Sequence, residues 1–332
     1  MLCLGEERLK ILIIQLRQLG DILLSSPLAQ AIKAEFDAEV HFLTSHIGSN
    51  LLKGNPYIDK ILTLHQGIVS ELKTLFTVRR EEYYAVIDAQ RTGRSKRITL
   101  FSGAPLRIAF RKRGENFYYN RLVDWKNRGY TVWERLELLK PLGIKNPPLL
   151  LPKFFLLPEE VERGRELLRE FNLREGEFFV VVPTSRRMER SWEPEKFGRL
   201  AAKISSLTSL IPLFAYAPGE EEFARLSFEA CGKGVLLPSP LPVRLFGALL
   251  SLSAFSVGND SFSSHLSFAL GRKTFVILGP NEGWFPEHPL VVKVKKGLEC
   301  QPCGNWKGCD RGLECYRALS PEEAFSQLQG EL

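Results

Sequence analysis

Short, mostly apolar runs recur along this chain, separated by stretches whose apolar residues fall at helical spacing. Residues 9–16 (LKILIIQL) read as a buried strand, and residues 22–36 continue with helical spacing. Residues 40–44, 60–64 and 84–89 repeat the strand pattern with helical stretches between them, and a helix over 130–142 closes the first half. The pattern then restarts with a helix at 159–171, a strand at 177–182 and a helix at 194–207. Further strands are expected near 211–215, 235–237, 254–257 and 274–278, with a short amphipathic helix over 321–332. Strand alternating with helix favours parallel sheets covered on both faces.

Pro147, Pro148, Pro152 and Pro158 crowd the junction between the two halves. Proline stiffens a chain and cannot continue a helix, so this stretch reads as a linker. The expected organisation is two Rossmann-like, doubly wound domains at 1–157 and 158–320, with a terminal helix at 321–332 packing back on the first. Ligands of such sheets bind beyond the carboxyl ends of the strands, so the site is expected in a cleft between the domains. The 332 residues, 44% hydrophobic and 25% charged, suffice for two cores.

No apolar run approaches the roughly 20 residues of a membrane span, and Glu6, Glu7 and Arg8 precede the first one, unlike a signal peptide. The cytoplasm is therefore the expected location. The net charge of +7 is concentrated: residues 89–114 carry eight basic side chains and no acidic one. Such a run is either a solvated surface or a cradle for phosphates, carboxylates or an anionic membrane face. It matches no nucleic-acid recognition module, so no nucleic-acid partner is expected.

Three turns carry candidate chemistry. The first, Gln15 to Asp21, follows the first strand; Gly20 suits a tight turn, and Asp21 is either a helix N-cap or a general base. Its glycine spacing is not G-x-G-x-x-G, which disfavours a nicotinamide-dependent oxidoreductase. The second, Val182 to Trp192, sets hydroxyls and three arginines just past a strand, a combination suited to a diphosphate. The third, Val257 to His265, opens a helix whose N-terminus offers an anion site; Asp260 could cap it or accept hydrogen bonds from sugar hydroxyls. His265 alone reads most simply as a packed histidine.

Taken together, these turns resemble the ADP-heptose:lipopolysaccharide heptosyltransferase family, inverting glycosyltransferases of the GT-B fold. The resemblance rests on ILIIQLRQLGDILLSSPL, GNPYIDKIL, YAVIDAQRTGRSKR, TSRRMERSWEPEKF, VGNDSFSSHLSFALG and ILGP. It implies transfer of heptose from ADP-heptose to the lipopolysaccharide inner core, an acceptor bearing Kdo carboxylates and phosphates, with no cofactor and no metal. Asp21 would be the base, and Arg190, where relatives commonly carry lysine, would neutralise the diphosphate. Thr184, Ser185, Asp260, Ser261 and His265 would hold the donor, and Glu220 its ribose. Gly20, Arg94 and Ser95 fall on the acceptor side, with Arg111 and Arg113 added from the charge map. The acceptor is displayed at the inner membrane surface, so peripheral contact there is implied. One departure concerns Phe262, where relatives usually carry glycine, which bears on the exact sugar.

The cysteines Cys300, Cys303, Cys309 and Cys315 fit no zinc template well; metal ligation, disulfides and free thiols all stay open. The competing readings are the same mechanism on another nucleotide sugar or glycan, and a nucleotide-binding protein without catalysis.

Overall fold

A computed structural model describes residues 8–185, 191–305 and 309–332. The chain divides into two compact units, Met1–Phe155 and Leu156–Leu332, and the division falls within the proline-rich stretch.

The first unit runs β1 (Leu9–Ile14), α1 (Leu19–Ser25), α2 (Pro27–Glu35), β2 (Ala38–Thr44), α3 (His46–Leu52), β3 (Lys60–Thr63), α4 (Ile68–Arg80) and β4 (Ala85–Asp88). It continues through α5 (Gly93–Phe101), β5 (Leu106–Phe110), β6 (Arg121–Val123) and α6 (Thr131–Leu136), with a 3-10 segment at Glu137–Leu142. Its six strands are parallel in the order β3-β2-β1-β4-β5-β6. Residues Ile11 to Ile14 of β1 are at most 1% exposed, as expected of a central strand with helices on both faces.

The second unit runs α7 (Pro158–Glu170), β7 (Phe178–Val182), α8 (Pro194–Thr208), β8 (Ile211–Phe214), α9 (Glu221–Cys231), β9 (Val235–Leu236) and α10 (Val243–Leu252). After it come β10 (Phe255–Asn259), α11 (Phe262–Ala269), β11 (Lys273–Ile277), β12 (Val291–Val294), α12 (Glu314–Arg317) and α13 (Pro321–Leu328). Its parallel order is β12-β11-β10-β7-β8-β9. In both sheets the first strand lies centrally and the order reverses beside it, between β1 and β4 and between β7 and β10. Those reversals are the switch points at which open α/β sheets leave a crevice for a ligand.

The single helix expected over 22–36 is two, because Pro27 has no N–H with which to extend the ladder of α1 and instead opens α2. Pro141 has the same effect in the helix expected over 130–142, whose second half is 3-10. Strands β5, β6 and β12 were not anticipated. β5 is LRIAF, inside the basic run, and the other two are only three and four residues long. The terminal helix was expected on the first domain; α13 instead buries Ala324 and Leu328 in the second unit's core, with Phe197, Leu200 and Ile204 of α8. A Ser320–Glu323 capping box fixes its start.

Candidate functional site

In the first unit the residues of interest gather at the β1/β4 switch point. Asp21 lies in the first turn of α1, whose N-cap is Gln18, so the expected cap role is not the one it plays. Its carboxylate pairs with Arg135 of α6, a side chain only 12% exposed. The same guanidinium donates through Nη1 to the Asp21 carbonyl at 2.6 Å and to Ser25 Oγ at 2.9 Å. A planar fork engaging main chain and side chain of one residue holds the carboxylate in a single orientation. Gly20 sits within α1 with ordinary helical φ rather than in a left-handed turn.

The turn leading to Asp21 is fastened by Gln90, which follows β4. One oxygen, Gln90 Oε1, accepts from Leu16 N at 2.8 Å, Arg17 N at 2.8 Å and Gln15 Nε2 at 2.9 Å. Gln90 is held in turn by Asp88, which accepts from Gln90 N at 3.0 Å, Arg91 N at 2.8 Å and the Tyr119 hydroxyl at 2.6 Å. Burial pushes the Asp88 carboxyl up, and these donors offset part of that cost. A hydrogen-bonded path thus runs from the interior of the unit to the turn that leads to Asp21. Arg135 and Gln90 were both missed in the sequence. Arg135 lies 114 residues from Asp21, and no local pattern links them.

The basic run is largely engaged within the unit. Arg94 and Arg97 both pair with Glu71, and Arg94 also donates to the His65 carbonyl at 2.7 Å. Lys96 pairs with Glu115 at 2.6 Å. Arg107 donates to the Tyr118 and Ala104 carbonyls, and Arg91 to that of Phe110. Ser95 is fully buried and closes a capping box with Thr92 at the start of α5. Arg111 pairs with Asp124 at 2.6 Å while staying more than half exposed, and Lys112 and Arg113 are exposed beyond β5. A run without acids along the sequence therefore meets three acids in space, which pair with Arg94, Lys96, Arg97 and Arg111, while Arg97 and residues 111–113 stay exposed.

In the second unit the two switch-point loops are joined by Asn259, which is 1% exposed. Its amide accepts from Trp192 N at 3.0 Å and donates to the Pro183 carbonyl at 3.1 Å, while its own carbonyl accepts from Ser264 Oγ at 2.7 Å. Fully buried Trp192 anchors the far end of the first loop, its indole N–H donating to the Leu319 carbonyl at 2.9 Å. Thr184, 2% exposed, and Ser185 follow β7 directly. Arg190 lies outside the described residues.

Asp260 follows β10, with Ser261 as N-cap of α11 and the Ser261 and Ser263 hydroxyls 2.8 Å apart. His265, 4% exposed, points Nε2 at Asp260 Oδ1 across 3.6 Å and stacks on Phe285 with centroids 4.3 Å apart. Burial pushes the Asp260 carboxyl up to about 7. Phe262 is the first residue of α11. Glu220 sits at the start of α9, after Gly219 at φ 84°, and reaches the Ala217 N–H at 3.4 Å.

Cys231, Cys300, Cys303, Cys309 and Cys315 are free thiols. Burial pushes the Cys315 thiol up, and Cys315 packs in the core of the second unit. Among the described residues no group of three or more His, Cys, Asp or Glu side chains is placed to hold a metal ion. Nor is any helix there long and apolar enough to cross a membrane.

Two doubly wound parallel units, each gathering polar residues at its switch point, define the GT-B class of glycosyltransferases. Residues 72–305 match the model of glycosyltransferase family 9 (heptosyltransferase), and the chain belongs to that family. It is 26% identical to lipopolysaccharide heptosyltransferase 1 of Campylobacter coli, an alignment covering 97% of this chain and 98% of that protein. Its fold is similar to that of the family 9 glycosyl transferase of Veillonella parvula DSM 2008, with a TM-score of 0.82 at 16% identity over 97% of this chain and 96% of that one. It is also similar to the Escherichia coli ADP-heptose lps heptosyltransferase II, with a TM-score of 0.79 at 18% identity over 97% and 98% of the two chains.

Proposed function

We propose that this glycosyltransferase moves heptose from ADP-heptose to the inner core of lipopolysaccharide with inversion at the anomeric carbon. Asp21 takes the proton from an acceptor hydroxyl as that oxygen bonds to the anomeric carbon. The bond from that carbon to the diphosphate breaks, and ADP leaves with the electron pair. Arg190 neutralises the charge growing on the diphosphate. Thr184, Ser185, Ser261 and the N-terminus of α11 take the phosphates, Asp260 and His265 the sugar, and Glu220 the ribose. On this reading residues 1–157 form the acceptor domain and 158–320 the donor domain. Gly20, Arg94 and Ser95 shape the acceptor side, and Arg111 and Arg113 face its carboxylates and phosphates. The enzyme works at the cytoplasmic face of the inner membrane.

The observation that carries the reading is the Asp21 carboxylate at a switch point, oriented by an Arg135 that bonds both its carboxylate and its carbonyl and is itself held by Ser25. The family match and the heptosyltransferases among the relatives support the donor and acceptor. Phe262 at the head of α11 favours one second reading, the same mechanism on another nucleotide sugar. Incubation with ADP-heptose and defined lipid A–Kdo–heptose acceptors, following ADP release and product mass, tests both. Product one heptose heavier supports the first reading. Turnover of another nucleotide sugar, with no heptose transfer to any acceptor, replaces it with the second.

A further inference from the structure

Helix α4 is turned inside out relative to a normal surface helix. Such helices bury an apolar stripe and show polar residues to water. Here the buried positions are Thr74 and Val78, whereas Ile68, Val69, Leu72 and Phe76 are 78%, 67%, 48% and 62% exposed. Helical spacing places all four in one sector. Phe101 of α5, 48% exposed, extends the patch, its ring edge-to-face with Phe76 at 6.2 Å. A contiguous group of five large apolar side chains marks an interaction surface rather than the scattered exposure normal for soluble proteins.

The charges around the patch identify its partner. Lys73 and Arg80 lie along one edge of the sector, and Arg79 is exposed in the last turn. The helix's own acid, Glu71, is turned away, 15% exposed and paired with Arg94 and Arg97. Along residues 68–80 the face therefore presents an apolar centre, a cationic edge and no exposed carboxylate, with Glu81 at the C-cap paired to Lys10 and Lys60, the arrangement of a helix lying in a bilayer interface. We infer that the α4 face, with Phe101, docks this protein on an anionic lipid bilayer. A second copy fits less well, since a two-fold contact would set the Lys73 and Arg80 edges against each other.

This inference deepens the proposed function by giving membrane contact a surface, and it is measured apart from transfer. Full-length protein is co-sedimented with vesicles of phosphatidylglycerol and phosphatidylethanolamine, or of phosphatidylcholine alone. Wild type is expected to pellet with the anionic vesicles and to release as salt rises. Leu72→Ser/Phe76→Ser should lower that partition about tenfold or more, and Lys73→Ser/Arg80→Ser should erase the preference for anionic over neutral lipid. All four side chains are solvent-exposed, so an unchanged Tm is expected for both variants. Transfer to a water-soluble, deacylated acceptor should be unchanged in both. Wild-type binding by the Leu72/Phe76 variant overturns the inference. So does wild-type dimerisation that this variant abolishes, which would make the face an interface between copies. Vesicle binding without any heptose transfer would leave the surface standing and sink the proposed function; the reverse result would do the opposite.

Discussion

Asp21 and Asp260 both lie beyond the carboxyl end of a switch-point strand, Asp21 after the first strand of its sheet and Asp260 after the strand that pairs with the first strand of the other, and their surroundings give them different chemistry. Asp21 is part-exposed and forked by Arg135, so it is held in one orientation within reach of solvent. Asp260 is drawn into the protein beside His265 and Phe285, and burial lifts its carboxyl to about 7. The first arrangement suits accepting a proton from an incoming hydroxyl. The second suits hydrogen bonds to a neutral polyol, with a protonation state that changes near neutrality. A place at a switch point therefore does not by itself set a role, because charge partners and desolvation decide what a carboxylate does.

The sharpest break of this comparison is Asp21→Ala. Removing a positioned base should lower kcat by roughly 100- to 10,000-fold while ADP-heptose binding stays intact by calorimetry. Full activity in this variant would return Asp21 to a structural role. Arg135→Ala should lower kcat about 10- to 100-fold with acceptor and donor KM little changed, as expected when only orientation is lost. Arg135→Lys should recover only part of it, and added guanidinium should restore turnover to the alanine variant. Equal kcat in wild type and Arg135→Ala would separate Arg135 from the chemistry.

The smallest effect belongs to Asp260. As pH falls through about 7 the carboxyl gains a proton and loses acceptor capacity, so donor KM should rise several-fold toward pH 5.5. Asp260→Asn should show a raised but pH-independent donor KM. Stability provides a separate check on sign. The folded state holds this proton more tightly than the unfolded chain, so Asp260 costs stability as pH rises from about 4 to about 7. The Tm of Asp260→Asn minus that of wild type should therefore increase between pH 5 and pH 7. A constant difference would mean that burial does not set the Asp260 titration.

Much of the alternation was legible in the chain because it is written in local periodicity: LKILIIQL and FFVVV cannot be other than buried strands. Strand β5 was hidden because Arg107 interrupts its apolar pattern; only the fold shows that guanidinium capping main-chain carbonyls. The charge map was only partly legible in the chain. Residues 89–114 carry no acid, yet Glu71, Glu115 and Asp124 lie outside the run in sequence and beside it in space.

What the amino-acid order determined by itself was the doubly wound architecture, its proline-rich junction and the turns that hold polar residues at strand ends. Each depends on neighbours within a few positions, through side-chain alternation, proline geometry and turn chemistry. Only the tertiary structure decided which carboxylate is forked by an arginine 114 residues away and which is buried to a raised pKa. It also decided which cations are already neutralised and which apolar helix face is left in water. Those outcomes depend on distance through space, because Coulombic pairing and desolvation are set by what the fold brings near, not by what the chain places next.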